Sequence, residues 1–256
     1  MSELAKLIIA KKMHCVFISP HHDDVILSCA TLLSELKGKT QITVINVFTK
    51  AHKKPYTHSA KTFMKYSNGY TDATALYKDR IKEDATVFAN LGITPINLGL
   101  EDALFRRQKN QSFLGKFLPE FDHIYPTYRW HIIKNVAKND PAIETLTQKL
   151  KSYISPRTLV FTPYALGNHA DHRVIRIVSE SLFANLIIYS DFPYNKRFKT
   201  YGKPFPKGKT YRLAINKPAK EKLIRGYKTQ VTGLFPNGDI PTHEEVYFSK
   251  PTVLNK

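Results

Sequence analysis

The chain has 256 residues, 42% of them hydrophobic, and a formal net charge of +18 from 39 Lys+Arg against 21 Asp+Glu. That length is enough to bury a full core, and with no run of about 18 apolar residues no membrane span is expected. The N-terminal apolar stretch Leu7 to Ala10 is too short for a secretory signal, and Cys15 and Cys29 lie in apolar segments outside any CxxC pair, which points to a reducing, cytoplasmic setting.

The elements alternate along the chain. HCVFIS at 14–19 is fully apolar and predicts a buried strand. Val25, Ile26, Cys29, Leu32, Leu33 and Leu36 recur at three and four, the spacing of a helix that Gly38 stops. ITVINVF at 42–48 is β-branched and reads as a second strand. Residues 50–70, rich in Tyr and Lys, show no period and read as a long loop. Thr71 or Asp72 caps a helix whose apolar face is Ala75, Leu76, Ile81, Ala85, Phe88 and Leu91, with Gly92 at its end. TPINLGL at 94–100 is a third strand, and 101–137 is irregular, with aromatics at Tyr125, Tyr128 and Trp130. Asn139-Asp140-Pro141 opens a helix with the stripe Ile143, Leu146, Leu150 and Ile154. TLVFTP at 158–163 is a fourth strand, Val174, Ile175, Val178 and Leu182 mark a helix from about Asp171, and LIIYSD at 186–191 is a fifth strand. The tail from Phe192 carries 14 basic and 4 acidic residues, with a strand near 210–215, a helix near 218–230 and a strand near 245–249.

Buried strands alternating with helices predict an α/β protein: a Rossmann-like three-layer fold with a mostly parallel sheet flanked by helices, plus a basic C-terminal extension. One domain over 1–256 is expected, its core spanning about 12–191 and its extension, about 192–256, packing on that core. In such sheets ligands bind beyond the carboxyl ends of the strands. Two segments fall there. Pro20-His21-His22-Asp23-Asp24 follows the first strand, and Asn168-His169-Ala170-Asp171-His172 follows the fourth. Residues three apart at a helix start project from one side, as His21 and Asp24 do, and His169 and His172. Imidazole and carboxylate together suit zinc or a similar divalent ion, and a catalytic site keeps three protein ligands and one open position. His21, Asp24 and His172 meet that count, leaving Asp23 and His169 beside the ion as base and oxyanion stabiliser. The plainer alternative is that the acids cap their helices. It accounts for one acid per helix, not for histidines flanking acids twice.

SPHHDDVILSCA, residues 19–30, resembles the (P/A)HPDDE signature of the PIG-L/LmbE-like de-N-acetylases, and GNHADHRV, residues 167–174, resembles their HxDH signature. Arg80-Ile-Lys-Glu83, LGLEDALFR and IIYSDFPY extend the likeness. The resemblance implies His21, Asp24 and His172 as metal ligands, Asp23 as general base, His169 as the group stabilising the tetrahedral intermediate, and Asp171 as the acid orienting the histidines. It implies substrate contacts for Arg80 and, at a sugar hydroxyl, Asp102. His22 stands where the family has Pro, and so competes as a ligand; Val25 stands where Glu is common. The implied activity is metal-dependent removal of an acetyl or other acyl group from an N-acetylated sugar or glycoconjugate, which the positive charge suits if it is anionic. Two other readings stand beside it: a metal-dependent phosphoesterase, which needs a second ligand cluster, and a non-catalytic relative binding glycan or nucleic acid. Nucleic acid is not the expected partner, because aromatics interleave with basic residues only in the tail.

Overall fold

The computed structural model describes residues 1–110, 112–153, 155–196, 202–205, 207–241, 244–251 and 253. Its helices are α1 (Glu3–Ala10), α2 (Asp24–Leu36), α3 (His58–Tyr66), α4 (Ala73–Ala89), α5 (Ala142–Leu150), α6 (Ala170–Leu182), α7 (Lys217–Ile224) and α8 (Lys228–Leu234). Its strands are β1 (His14–Ser19), β2 (Ile42–Lys50), β3 (Ile96–Glu101), β4 (Thr158–Pro163), β5 (Leu186–Tyr189), β6 (Lys209–Leu213) and β7 (Glu245–Ser249). They form a seven-stranded sheet in the order β3-β2-β1-β4-β5-β7-β6. The first five run parallel, and β7 and β6 continue the sheet antiparallel. This is the α/β sandwich with a mostly parallel sheet that the alternating pattern predicts.

The period of two along β1 divides the core. Cys15 and Phe17 join a cluster with α1, α2 and α7, and Val16 and Ile18 join one with α5 and α6. Phe17 stacks on Phe161 of β4, ring centroids 4.1 Å apart and nearly coplanar, so the two central strands are locked side by side on the first face. A third cluster lies off the strand ends. There α3 and α4 pack Ala60, Met64, Leu76 and Tyr77 against Phe105 and Tyr125.

The sequence-based bounds hold for β1, β4 and β7 and within two residues for β2, β3 and α6. Three expectations need correction. The loop expected over 50–70 contains α3, capped by the Thr57 hydroxyl, which accepts from the Ala60 amide; only Ala60 and Met64 are buried along it, too few to show a period. The single helix near 218–230 is two, broken at Gly226, where a Cβ would collide with Val87 of α4, so the bare backbone passes α4 at contact. The aromatics of 125–130 do not form one cluster: Tyr125 is buried and donates to Asp140 at 2.7 Å, whereas Trp130 is 70% exposed. Asp140 caps α5 as expected, accepting from the Ala142 amide at 2.9 Å, while Ile154 of the predicted stripe lies outside the described residues.

The segment beyond residue 192 is tied into the body. The buried carboxylate of Glu245 at the start of β7 accepts from the Thr31 and Leu32 amides of α2 at 2.8 and 3.1 Å, from Lys220 Nζ at 2.8 Å and from the Tyr247 hydroxyl at 2.8 Å. Among the described residues no helix is long and apolar enough to cross a membrane.

Candidate metal centre and active site

β1 and β4 are neighbours at the middle of the sheet, yet the chain leaves them toward opposite faces: β1 feeds α2 and β4 feeds α6. The crevice between the two loops is the place where an open α/β sheet binds its ligand. In the first loop the Ser19 hydroxyl donates to the His21 carbonyl at 2.5 Å and accepts from the Val25 amide at 3.1 Å, fixing the turn into α2. The second loop is contorted, with Ala165 and Asn168 at φ of 66° and 60°. L-residues avoid such values, and strain of this kind concentrates at functional sites. Asp191, just past β5, pins that loop by accepting from the Leu166 amide at 2.8 Å.

The two loops bring His21, Asp24 and His172 together, with one nitrogen or oxygen from each lying within 4.8 Å of the others. His21 Nδ1 is 3.0 Å and His172 Nε2 3.5 Å from Asp24 Oδ2. The outer partners select the tautomers. His21 Nε2 donates to Asp171 Oδ2 at 3.1 Å, and its Nδ1 bonds Asp24 Oδ2, which also accepts from the His21 amide at 2.8 Å. His172 Nδ1 donates to Asp191 Oδ1 at 3.1 Å, and its Nε2 is buried without a hydrogen-bond partner. Against burial, the surrounding carboxylates hold both rings toward their charged forms, so His21 Nδ1 and His172 Nε2 are the nitrogens an ion would take in place of a proton. A buried polar nitrogen without a partner is costly, and its convergence with Asp24 Oδ2 and His21 Nδ1, each histidine backed by a carboxylate, suits a divalent ion. A second trio, His21, His169 and Asp171, is as compact. Its carboxylate is already engaged: Asp171 accepts from Arg106 Nη2, from the Ala103 amide at 2.9 Å and from His21. The residues therefore fit an ion at His21, Asp24 and His172.

The electrostatics separate the remaining groups. Burial pushes the His169 imidazole down to about 3, so it is neutral, and its Nδ1 accepts from the Asp171 amide at 3.3 Å. The proton is thereby assigned to Nε2. Burial and the adjacent Asp24 raise the Asp23 carboxyl, against the pull of Arg80 and His21. Burial opposes a charge on Asp24 and Asp171, but His172 and His21 around the first and Arg106 beside the second win, and both carboxylates are held below the ordinary range. Neither Asp23 nor Asp171 caps its own helix: Asp23 makes no side-chain cap bond, and Asp171 reaches across to Ala103. The capping alternative thus leaves these carboxylates unexplained.

A cleft of about 260 Å³ opens over the cluster, and His21, Asp23, Asp24, Arg80, Asp102 and His169 line it. Every residue predicted from the sequence is in or against this site. Arg80, expected to contact substrate, has its guanidinium 3.3 Å from Asp23 Oδ1 and above the Tyr77 ring. Asp102 accepts from the Tyr77 hydroxyl at 2.5 Å and the Leu104 amide at 2.9 Å, and its Oδ2 lies 3.3 Å from His21 Nε2. His22 is fully buried beside Tyr77 and belongs to neither trio. Two participants were missed. Asp191 stands alone in IIYSDFPY, and its one signal is an acid at a strand's carboxyl end. Arg106 looks in sequence like any surface base, yet it is buried and bridges Asp171 to Asp140.

The chain is 25% identical to 2'-N-acetylparomamine deacetylase of Niallia circulans over 93% of its own length and 90% of that protein's. Among solved structures it superposes on the zinc inhibited form of teicoplanin deacetylase with a TM-score of 0.69 at 20% identity, covering 92% of this chain and 97% of that one. It superposes on N,N'-diacetylchitobiose deacetylase of Pyrococcus horikoshii with a TM-score of 0.51 at 14% identity, covering 89% and 76%. At such identities the two structures establish the fold. Residues 16–182 match the PIG-L profile, described as GlcNAc-PI de-N-acetylase, and that match spans both loops of the crevice. By that match the chain belongs to the PIG-L family.

Proposed function

We propose that the protein is a metal-dependent amidase that removes the acetyl group from the nitrogen of an N-acetylated sugar or glycoconjugate. The observation that carries this reading is the orphaned Nε2 of His172, converging with His21 and Asp24 beneath a cleft whose edge holds Asp23 and His169. Zinc is the ion proposed, on the mixed nitrogen and oxygen donor set. When bound by these three residues it supplies a water acidified from 15.7 to about 7 and a Lewis acid for the amide oxygen. Asp23 takes the proton of the attacking water at a carboxylate oxygen. Its raised pKa suits it, because a base works best when its pKa approaches the working pH. Arg80 keeps that carboxylate aimed. His169, neutral and protonated at Nε2, donates to the oxygen on which negative charge develops. Asp23 then returns its proton to the departing amine, releasing acetate and a free amino sugar.

The relatives named as 2'-N-acetylparomamine deacetylase and teicoplanin deacetylase support the reaction class, and free, buried Cys15 and Cys29 support a reducing, cytoplasmic setting. The phosphoesterase alternative calls for two ions, and the two ligand trios among the described residues share His21, so they make one centre. The experiment is amine release from a panel of N-acetylated amino sugars, with metal analysis of the same preparation. Asp23→Asn is expected to lower turnover by about 10²–10⁴-fold while retaining a full equivalent of metal. Wild-type turnover in that variant would remove the base assignment; a metal-free protein that still releases amine would remove the metal.

A further inference from the structure

Two features of the sequence take no part in this chemistry: the acid-free, lysine-rich stretch between Glu35 and Asp72, and the apolar cluster after Arg107. The fold places them side by side. Residues 107–110 and 112–123 leave the body as an excursion whose neck is closed by the Arg107–His123 bridge, by Gln108 N to Asp122 O at 2.8 Å and by Ile124 N to Arg106 O at 3.0 Å. Inside it the buried Asp122 accepts from the Ser112 amide at 2.7 Å, so the neck is built. The tip is apolar and outside: Phe113 and Phe117 are each 72% exposed, and Leu114, Leu118 and Phe121 more than half. α3 adjoins it, the His58 amide donating to Glu120 Oε1 at 2.8 Å and Arg107 Nη2 to the Lys53 and Pro55 carbonyls at 2.9 and 3.2 Å. Lys53 and Lys54 before α3, and Lys109 and Lys116 in the excursion, are all exposed.

We propose that the Phe/Leu tip of residues 113–121, rimmed by these lysines, is a docking surface for an anionic lipid membrane. A soluble chain seldom leaves so large a contiguous apolar patch bare unless something covers it. The charges choose the occupant. Against Glu120, the one exposed or half-exposed acid of the excursion, which the His58 amide holds at α3, stand Lys53, Lys54, Lys109 and Lys116, so the rim is net cationic. A second copy docked through the same tip would set lysine against lysine, which is repulsive. An anionic leaflet takes the phenyl and isobutyl groups at the depth of its headgroups and pairs the lysines with phosphate. The net charge of +18 adds long-range attraction to such a surface. α3 also supplies Phe63 and Tyr66 to the wall of the cleft, so docking would bring the catalytic opening to the lipid.

The test is co-sedimentation of the full chain with vesicles of phosphatidylcholine, and with vesicles of an equal mixture of phosphatidylcholine and phosphatidylglycerol. The protein should partition to the mixed vesicles and lose that binding in high salt. Phe113→Ser with Phe117→Ser should weaken partitioning by roughly tenfold or more. Neither residue lines the cleft, so hydrolysis of a water-soluble substrate should be unchanged. Lys109→Glu with Lys116→Glu should weaken binding to the mixed vesicles and abolish most of its salt dependence. The proposal falls if the wild-type chain ignores the mixed vesicles or if the serine variant binds them equally. It falls too if sedimentation equilibrium shows a dimer that only the serine variant loses, without vesicle binding. None of these readouts depends on the hydrolytic reading.

Discussion

At the scale of single residues, the site is a chain of carboxylates and histidines in which each proton has one sensible place. Asp191 shows why the outer members matter. It fixes His172 with Nε2 bare, and it also holds the strained loop through the Leu166 amide. Asp191→Asn should keep the fold but lose the charge behind the imidazole, lowering metal affinity by about 10–100-fold in a competitive chelator titration, with full loading still reached at excess metal. An unchanged affinity would show that His172 needs no such support. The proposed inner ligands were legible in the sequence because they fall in two runs, each at a helix start after an apolar strand. Asp191 and Arg106 were not, because each stands alone in sequence and only the folding of β5 and of residues 101–106 against the crevice gives it a partner.

At the scale of elements, the central strands β1, β4 and β5 were legible because burial on both faces makes them largely apolar, whereas helices that bury little were not. α1 was read only for a signal segment, although Leu4, Ala5 and Ile8 pack into the first core; α3 buries two side chains and looks like loop. α4 illustrates what pattern reading leaves out. Its buried Asp84 accepts from the Tyr227 hydroxyl at 2.8 Å and from Asn46 Nδ2 at 2.6 Å, joining α4 to β2 and to the segment before α8. Burial nevertheless raises its pKa from 3.8 to about 7, the two hydrogen bonds only moderating the rise. An acid whose pKa is higher folded than unfolded holds an extra proton in the native state between those values. Its contribution therefore declines as pH rises from about 4 toward 7 and stays unfavourable above. Asp84→Asn should flatten the stability curve over that interval and make the variant relatively more stable at pH 8 than at pH 5, as read from urea unfolding. The opposite slope would mean that the carboxylate is ionised throughout.

At the scale of the whole molecule, the two cores of the sheet are built of apolar side chains away from the crevice, whereas the crevice gathers buried charges that an ion would bind. Metal should thus stabilise the fold without being needed to form it. With free zinc at about 100 times its dissociation constant, linkage gives about 2.7 kcal/mol, or a rise in Tm of about 5–11 °C for a chain of this size. Scanning calorimetry with and without a chelator measures it, and a coincident Tm would speak against a site at His21, Asp24 and His172.

The Glu245 carboxylate, which receives two amides from the middle of α2, bears on how the gene product can be shortened. The family match stops at residue 182, before Asp191 and before β7. A polypeptide trimmed to that boundary would keep His21, Asp24 and His172 and still lose the brace behind His172, along with the contact that the last strand makes on the middle of the helix carrying Asp24. Such a fragment would own the signature and lack the machine, so catalytic competence here is a property of the entire sheet rather than of its recognisable half.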